Sequence, residues 1–258
     1  MKPVLAMPFH DPEGRYGAHL WQVLPQLKTL FARIYLDITP PTMAAQPETI
    51  HLLQADPFFR LSFSLPESQV GDHCLAAYRG AMEESAPDQV VHMAYIDRLV
   101  FILMGPYADA FGEDIRQLTT DQAPVLYMRS KSAWSTHPHN YYECEMMDTH
   151  AGELLFGRTL DFCWCHCAAT ASQLRPVLRH IHSHDFGVQA ELALLLRGQL
   201  TTRQVDWLSW EDPFLLGRDP QELKAERENS LEETRKRLGY VIPIMQVLLE
   251  YSKGGTHE

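Results

Sequence analysis

Val4-Leu5-Ala6-Met7-Pro8-Phe9-His10-Asp11-Pro12-Glu13-Gly14 is the stretch whose reading decides the fold. A short apolar run, Val4–Met7, reads as a strand and breaks at once into a loop rich in Pro and Gly. Leu20, Val23, Leu24, Leu27, Leu30 and Phe31 then recur at helical spacing. Working outward, Arg33–Asp37 is a second strand stopped by Thr39-Pro40-Pro41, and a helix around Pro47–Gln54 precedes a third strand, Phe59–Leu65. Gly71–Glu84 is a helix, and Gln89–Tyr95 a fourth strand closing on Ile96-Asp97-Arg98. Four successive βα units predict a mostly parallel central sheet flanked by helices.

The second half is less regular. Pro124–Met128 reads as a strand, followed by a polar loop through Trp134 and His139. A helix over Glu143–Phe156 leads to a strand over Phe162–Ala168, helices over Gln173–His182 and Val188–Arg197, and a late strand at Gln204–Leu208. Two capped helices follow as a C-terminal helical tail: Asp219-Pro220-Gln221-Glu222 starts one, and the capping box Ser230-Leu231-Glu232-Glu233 starts the other. Pro243 is expected to kink or interrupt the last helix.

Of the 258 residues, 45% are hydrophobic and 21% charged, enough for one large α/β core or two small ones. The net charge of −11 argues against a grip on nucleic acid or an anionic membrane. An acidic chain that handles a phosphorylated ligand must use local Arg or Lys, backbone N–H groups or a divalent cation. Five cysteines, an odd number, together with no recognisable signal peptide, suit a reducing cytoplasm. No apolar run reaches the roughly 18 residues of a membrane span.

The order Val4 to Asp97 resembles the nucleotide-binding half of the family-2-like GT-A glycosyltransferases, the dolichol-phosphate-mannose synthase and mannosylglycerate synthase-like enzymes. The loop Pro8-Phe9-His10-Asp11-Pro12-Glu13, followed by Arg15, matches the family's Pro-x-x-Asn-Glu-Glu loop. Asp37 stands where the family reads a uracil or guanine edge. Leu65-Pro66-Glu67-Ser68-Gln69-Val70-Gly71 matches the segment that introduces the next helix, and Tyr95-Ile96-Asp97 stands at the metal-binding Asp-x-Asp. The first acid of that motif is replaced by Tyr95, or by Ala94 if the motif is shifted by one residue.

More loosely, Tyr127-Met128-Arg129-Ser130, the span from Asp148 to Leu174, Phe186-Gly187-Val188-Gln189-Ala190-Glu191-Leu192 and Gln204-Val205-Asp206-Trp207-Leu208 follow the acceptor half. The resemblance implies a GT-A domain over residues 1–215, with a nucleotide-binding half (1–98) and an acceptor half (99–215), and a helical extension over 216–258. It implies a glycosyltransferase that moves a sugar from a nucleotide-sugar donor to a small-molecule, glycan or lipid-linked acceptor, with Mg²⁺ or Mn²⁺. Pro8, His10, Glu13, Arg15, Asp37, Gly71 and Arg129 are the expected nucleotide-side residues. Asp97 and Glu211 are the expected metal contacts, and Asp161 and Glu191 are expected to orient or deprotonate the acceptor.

Each position has a plainer alternative. Asp97 would equally cap a helix or pair with Arg98, Asp37 would cap a turn, and Glu211-Asp212-Pro213 would start a helix. The incomplete Asp-x-Asp supports a second reading, a GT-A-like binding or assembly module without transfer activity, and homo-oligomers are possible. Nucleotidyl transfer is disfavoured because no Gly-rich phosphate loop follows the first strand. Cys163, Cys165 and Cys167 fall on one face of the expected strand, about 6.6–7 Å apart, too far to converge on one ion. His180 and His184 would chelate a metal only on a shared helix. Trp134, His137, His139, Tyr141 and Tyr142 form an aromatic-polar cluster suited to a sugar ring or to packing. The last helix, with Arg235-Lys236-Arg237, would lie on a membrane, contact a second copy or, as favoured, cover the sheet.

Overall fold

The computed structural model describes residues 1–253. The first half contains β1 (Val4–Phe9), α1 (Arg15–Leu30), β2 (Ile34–Ile38), α2 (Pro40–Ala45), α3 (Pro47–Ala55), β3 (Phe59–Phe63), α4 (Val70–Glu84) and β4 (Val90–Met93). There follow α5 (Ile96–Met104), α6 (Ala108–Gln117), β5 (Val125–Arg129), α7 (Lys131–Thr136), α8 (His139–Phe156) and β6 (His166–Thr170). The chain continues through α9 (Ala171–Val177), α10 (Gly187–Leu196), β7 (Thr201–Val205), α11 (Asp212–Leu216), α12 (Pro220–Glu228) and α13 (Leu231–Ser252).

The strands form one sheet in the order β3-β2-β1-β4-β6-β5-β7. Every pairing is parallel except those of β6, which runs antiparallel between β4 and β5. All six residues of β1 are buried, because helices cover both faces of a parallel sheet. Alternation then sorts them. Val4 and Ala6 join the core made with α4, α9, α10 and α13. Leu5, Met7 and Phe9 join the opposite core with α1, α3, α5 and α6. With β6 reversed, the other strands all deliver their C-terminal ends to one edge, where ligands of such sheets bind.

The second half departs from expectation in several places. The sixth strand starts at His166 rather than Phe162, because Phe162-Cys163 forms a turn. Cys163 and Cys165 therefore precede the strand and do not share a strand face with Cys167. Helix α9 stops at Val177, so His180 and His184 share no helix: His180 Nδ1 bonds the Pro176 carbonyl, and His184 Nδ1 lies 2.7 Å from Asp72. The expected polar loop after Arg129 is the helix α7, capped by the Ser130 hydroxyl, which accepts from the Ala133 N–H. Helix α13 runs unbroken through Pro243 and packs along α8 and α10. Residues 254–258 of the expected extension lie outside the described residues. No helix among the described residues is long and apolar enough to cross a membrane.

Gly71 shows how tightly the helical layer meets the loop before α10. Its N–H donates to the His184 carbonyl at 2.8 Å, and a Cβ there would stand 2.5 Å from the His184 carbonyl carbon. Gly80, on the same helix, has 3.7 Å to its nearest neighbour, Tyr35. Gly71→Ala is expected to destabilise the protein by about 1–3 kcal/mol through overpacking. Gly80→Ala is expected to be neutral or to stabilise by up to about 1 kcal/mol through helix propensity. Urea unfolding of the two variants checks the contrast.

Candidate functional site

A cavity of about 650 Å³ opens along the C-terminal edge of the sheet, under α13. Its first sector lies where β1 and β2 end. The chain leaves β1 through Asp11, whose carboxylate accepts the N–H groups of Arg15 at 2.8 Å and Gly17 at 2.7 Å at the start of α1. Gly14, at φ 73°, makes the left-handed turn between them. This places Pro8 and His10 on the wall, with His10 Nδ1 2.9 Å from the Thr39 hydroxyl. Pro40, Pro41 and Pro66 add flat apolar surface, and His73 of α4 completes the sector.

Asp37 sits behind this wall, fully buried, and is not among the lining residues. Its carboxylate accepts the hydroxyls of Ser62 at 2.7 Å and Ser64 at 2.5 Å, and the Nδ1 of His73 at 2.7 Å. The Asp37 carboxylate thus reaches the cavity only through an imidazole.

The middle sector is acidic. Tyr16, Asp97 and Asp212 line it with the buried ion pair Arg98–Glu211. Burial first, then Asp97, Glu211 and Asp212, raise the Tyr16 hydroxyl, so the three carboxyls act on one point. Burial pushes the Glu211 carboxyl up to about 8 against the pull of Arg98, with Asp212 and Asp97 adding to the rise. Glu211, expected as a metal contact, lines the cavity and stands beside the guanidinium of Arg98. Asp212 opens α11, with Pro213 in the first turn, and remains partly exposed. Tyr95, at the position of the missing acid, accepts a 3.0 Å hydrogen bond from Gln189 Nε2.

The third sector is basic and held by buried ion pairs. Arg129, at the end of β5, donates to both oxygens of Asp161, at 2.9 and 2.7 Å, and to Glu145 at 2.5 Å. Its guanidinium lies 3.7 Å from the centroid of the Trp134 ring. Glu145 also accepts from Arg237 of α13 at 3.0 Å, and Arg237 stacks 3.8 Å over Tyr141. Arg227, Lys236 and Tyr240 extend the sector. The Nε–H groups of Arg227 and Arg237 are buried without a protein partner.

Five expected residues are placed elsewhere. Glu13 and Arg15 pair with each other at 2.5 Å on the exposed surface. Gly71 packs on His184. Asp161 is held bidentately by Arg129, and Glu191 accepts the N–H groups of His182 at 3.0 Å and Ser183 at 2.8 Å, fixing that loop. Neither of these last two carboxylates lines the cavity. Pro8, His10, Asp97, Arg129 and Glu211 do come together on its wall. His73, Tyr16, Arg227, Lys236, Arg237 and Tyr240 are lining residues that sequence reasoning missed. Of the aromatic cluster, Tyr141 lines the cavity, while Trp134 stacks on Arg129 and Tyr142. Among the described residues, no group of three or more His, Cys, Asp or Glu is arranged to hold a metal ion.

No family model matches the sequence, and no curated protein matches it. Solved structures do. Glucosyl-3-phosphoglycerate synthase from Mycobacterium tuberculosis, with Mn²⁺, uridine diphosphate and phosphoglyceric acid, gives a TM-score of 0.53 at 11% identity, over 96% of this chain and 78% of that one. The same protein with uridine diphosphate gives 0.51 at 12%, over 98% and 80%. With Mn²⁺, uridine-diphosphate-glucose and phosphoglyceric acid it gives 0.50 at 12%, over 96% and 79%. At such identities the likeness is one of fold.

Removing one partner of the Arg129 network leaves a buried charge uncompensated. Asp161→Ala is expected to lower unfolding stability by about 3–5 kcal/mol. Arg15→Ala, which breaks an exposed pair, is expected to change it by less than about 1 kcal/mol. Denaturant titration of both variants distinguishes these outcomes.

Proposed function

We propose that this chain, which has the GT-A fold of those structures, transfers a sugar from a nucleoside-diphosphate donor to a small acceptor bearing an anionic group. One observation carries the reading: a single cavity at the C-terminal sheet edge is lined by prolines, by carboxylates and by a group of cations. That combination of environments suits a base, a metal-bridged diphosphate and an anionic acceptor.

Asp97 and Asp212 would hold the divalent cation. Mg²⁺ and Mn²⁺ are commonly bound by one or two carboxylates together with substrate phosphates rather than by an all-protein cage. Two free carboxylates in the cavity fit that pattern, and the lack of a three-residue cluster among the described residues does not conflict with it. The ion, when bound, supplies neutralisation of the departing diphosphate. The protein's own residues do the rest. Arg98 and Arg129, each fixed by carboxylates, present oriented N–H groups that need no reorganisation as charge develops. Helix α13 contributes Lys236, Arg237 and Tyr240 to the cavity wall.

The acceptor end rests on Arg227, Lys236 and Arg237. Arg227, Lys236 and Arg237 all line the cavity, and guanidinium and ammonium groups are the side chains that pair with a carboxylate or phosphate. The related structure that holds phosphoglyceric acid supports a small anionic acceptor of this kind. The engagement of Asp161 and Glu191 by internal partners favours, as a second reading, a module that binds the nucleotide sugar without transferring it.

Calorimetry and turnover separate these readings. Mn²⁺ alone is expected to bind weakly, and uridine or guanosine diphosphate to bind about ten-fold more tightly when Mn²⁺ is present. Asp97→Asn and Asp212→Asn should each remove that enhancement; an undiminished enhancement in both would exclude the carboxylate pair as the metal site. Lys236→Ala, at an exposed position, should raise the KM for an anionic acceptor about ten-fold with little change for the donor. Nucleotide-sugar binding with neither transfer nor hydrolysis would select the binding module.

A further inference from the structure

We infer that the donor's base is read by His73, with Asp37 as the residue that positions it. The inference rests on the donor reading above and specifies it. Asp37 has no free oxygen to offer a base: Oδ1 takes the Ser62 hydroxyl, and Oδ2 takes both the Ser64 hydroxyl and His73 Nδ1. It is fully buried, and His73 stands between it and the cavity.

The chemistry of the pair fixes what His73 can recognise. A carboxylate accepts only, so the imidazole nitrogen it holds carries the hydrogen. The hydrogen bond made by one ring nitrogen sets the role of the other, so an imidazole that carries its single hydrogen on Nδ1 keeps a lone pair on Nε2. That edge is the one available to the cavity. Pro8, Pro40, Pro41 and Pro66 line the same cavity as His73 and offer apolar surface to a planar ring. A lone pair turned to that cavity complements a base with a ring N–H on its Watson–Crick edge, the N3–H of uracil or the N1–H of guanine. Cytosine N3 and adenine N1 would instead set a lone pair against a lone pair. The site therefore selects uridine or guanosine diphosphates over cytidine and adenosine diphosphates.

The selection depends on the second residue as well. Asn in place of Asp37 offers a donor to Nδ1 and allows the opposite tautomer, so it acts on the choice of base through His73. Its effect falls on the ratio of affinities between bases rather than on binding of the diphosphate.

The test is titration of UDP, GDP, CDP and ADP, each with Mn²⁺, into the wild-type protein, His73→Ala and Asp37→Asn, with inorganic pyrophosphate as the probe that lacks a base. Wild type should bind UDP or GDP at least about ten-fold more tightly than CDP and ADP, the worth of one well-made hydrogen bond to a base edge. His73→Ala should bring the four within about three-fold of one another while leaving pyrophosphate affinity unchanged, which also shows that the cavity is intact. Asp37→Asn should narrow the ratio of UDP to CDP affinity. A preference that survives unchanged in His73→Ala, or a wild type that binds all four equally, would overturn the inference and leave the donor reading standing. A wild type that binds none of them would overturn both.

Discussion

The guanidinium of Arg129 is buried at the end of β5, one strand in from the edge of the sheet. Its charge is balanced by Asp161 from the turn before β6 and by Glu145 from α8, and Glu145 passes the link to Arg237 on α13. Burial alone would lower the guanidinium pKa, but Asp161 and Glu145 overcome it, and the group is held charged more firmly than usual. Such a network tolerates no missing member, because each removal strands a charge in low dielectric. It fixes the wall of the cavity, the turn that shortens β6 and the seat of the C-terminal helix together.

The same constraint explains how an acidic protein gathers cations at one place. With a net charge of −11, the surface as a whole repels phosphate. The cations that matter are drawn into one cavity, Arg98 and Arg129 from the sheet side and Arg227, Lys236 and Arg237 from the helical tail. Carboxylates hold the inner two in fixed orientations, and the outer three retain donors for a ligand. The acidic pair Asp97 and Asp212 lies with Tyr16 and the Arg98–Glu211 pair in the middle sector, so groups of both signs share one cavity.

Legibility of the site followed how each residue is placed. Pro8, His10, Asp97 and Arg129 stand at or just beyond strand ends, and a strand end in a parallel sheet has a known address, the ligand edge. Asp37 shares that address, yet three donors close around it, one of them from a helix that begins more than thirty residues later. His73 carried no signal of its own in the fourth position of an amphipathic helix. The cations of α12 and α13 read as the polar face of a surface helix, because nothing local says what such a face will meet. Asp161 and Glu191 show the reverse: an acid near the site reads as available until its partners are seen.

By itself the sequence determined what depends on neighbours in the chain. Apolar runs, helical spacing, Pro and Gly breaks and capping residues placed the strands and helices of the first half, and their alternation implied a parallel sheet with its ligand edge. Only the tertiary structure decided the antiparallel insertion of β6, the turn at Asp161, and the partner each buried charge would take. Those outcomes are set by contacts between residues far apart in sequence, and desolvation makes the right partner worth several kcal/mol while leaving no mark on the local pattern.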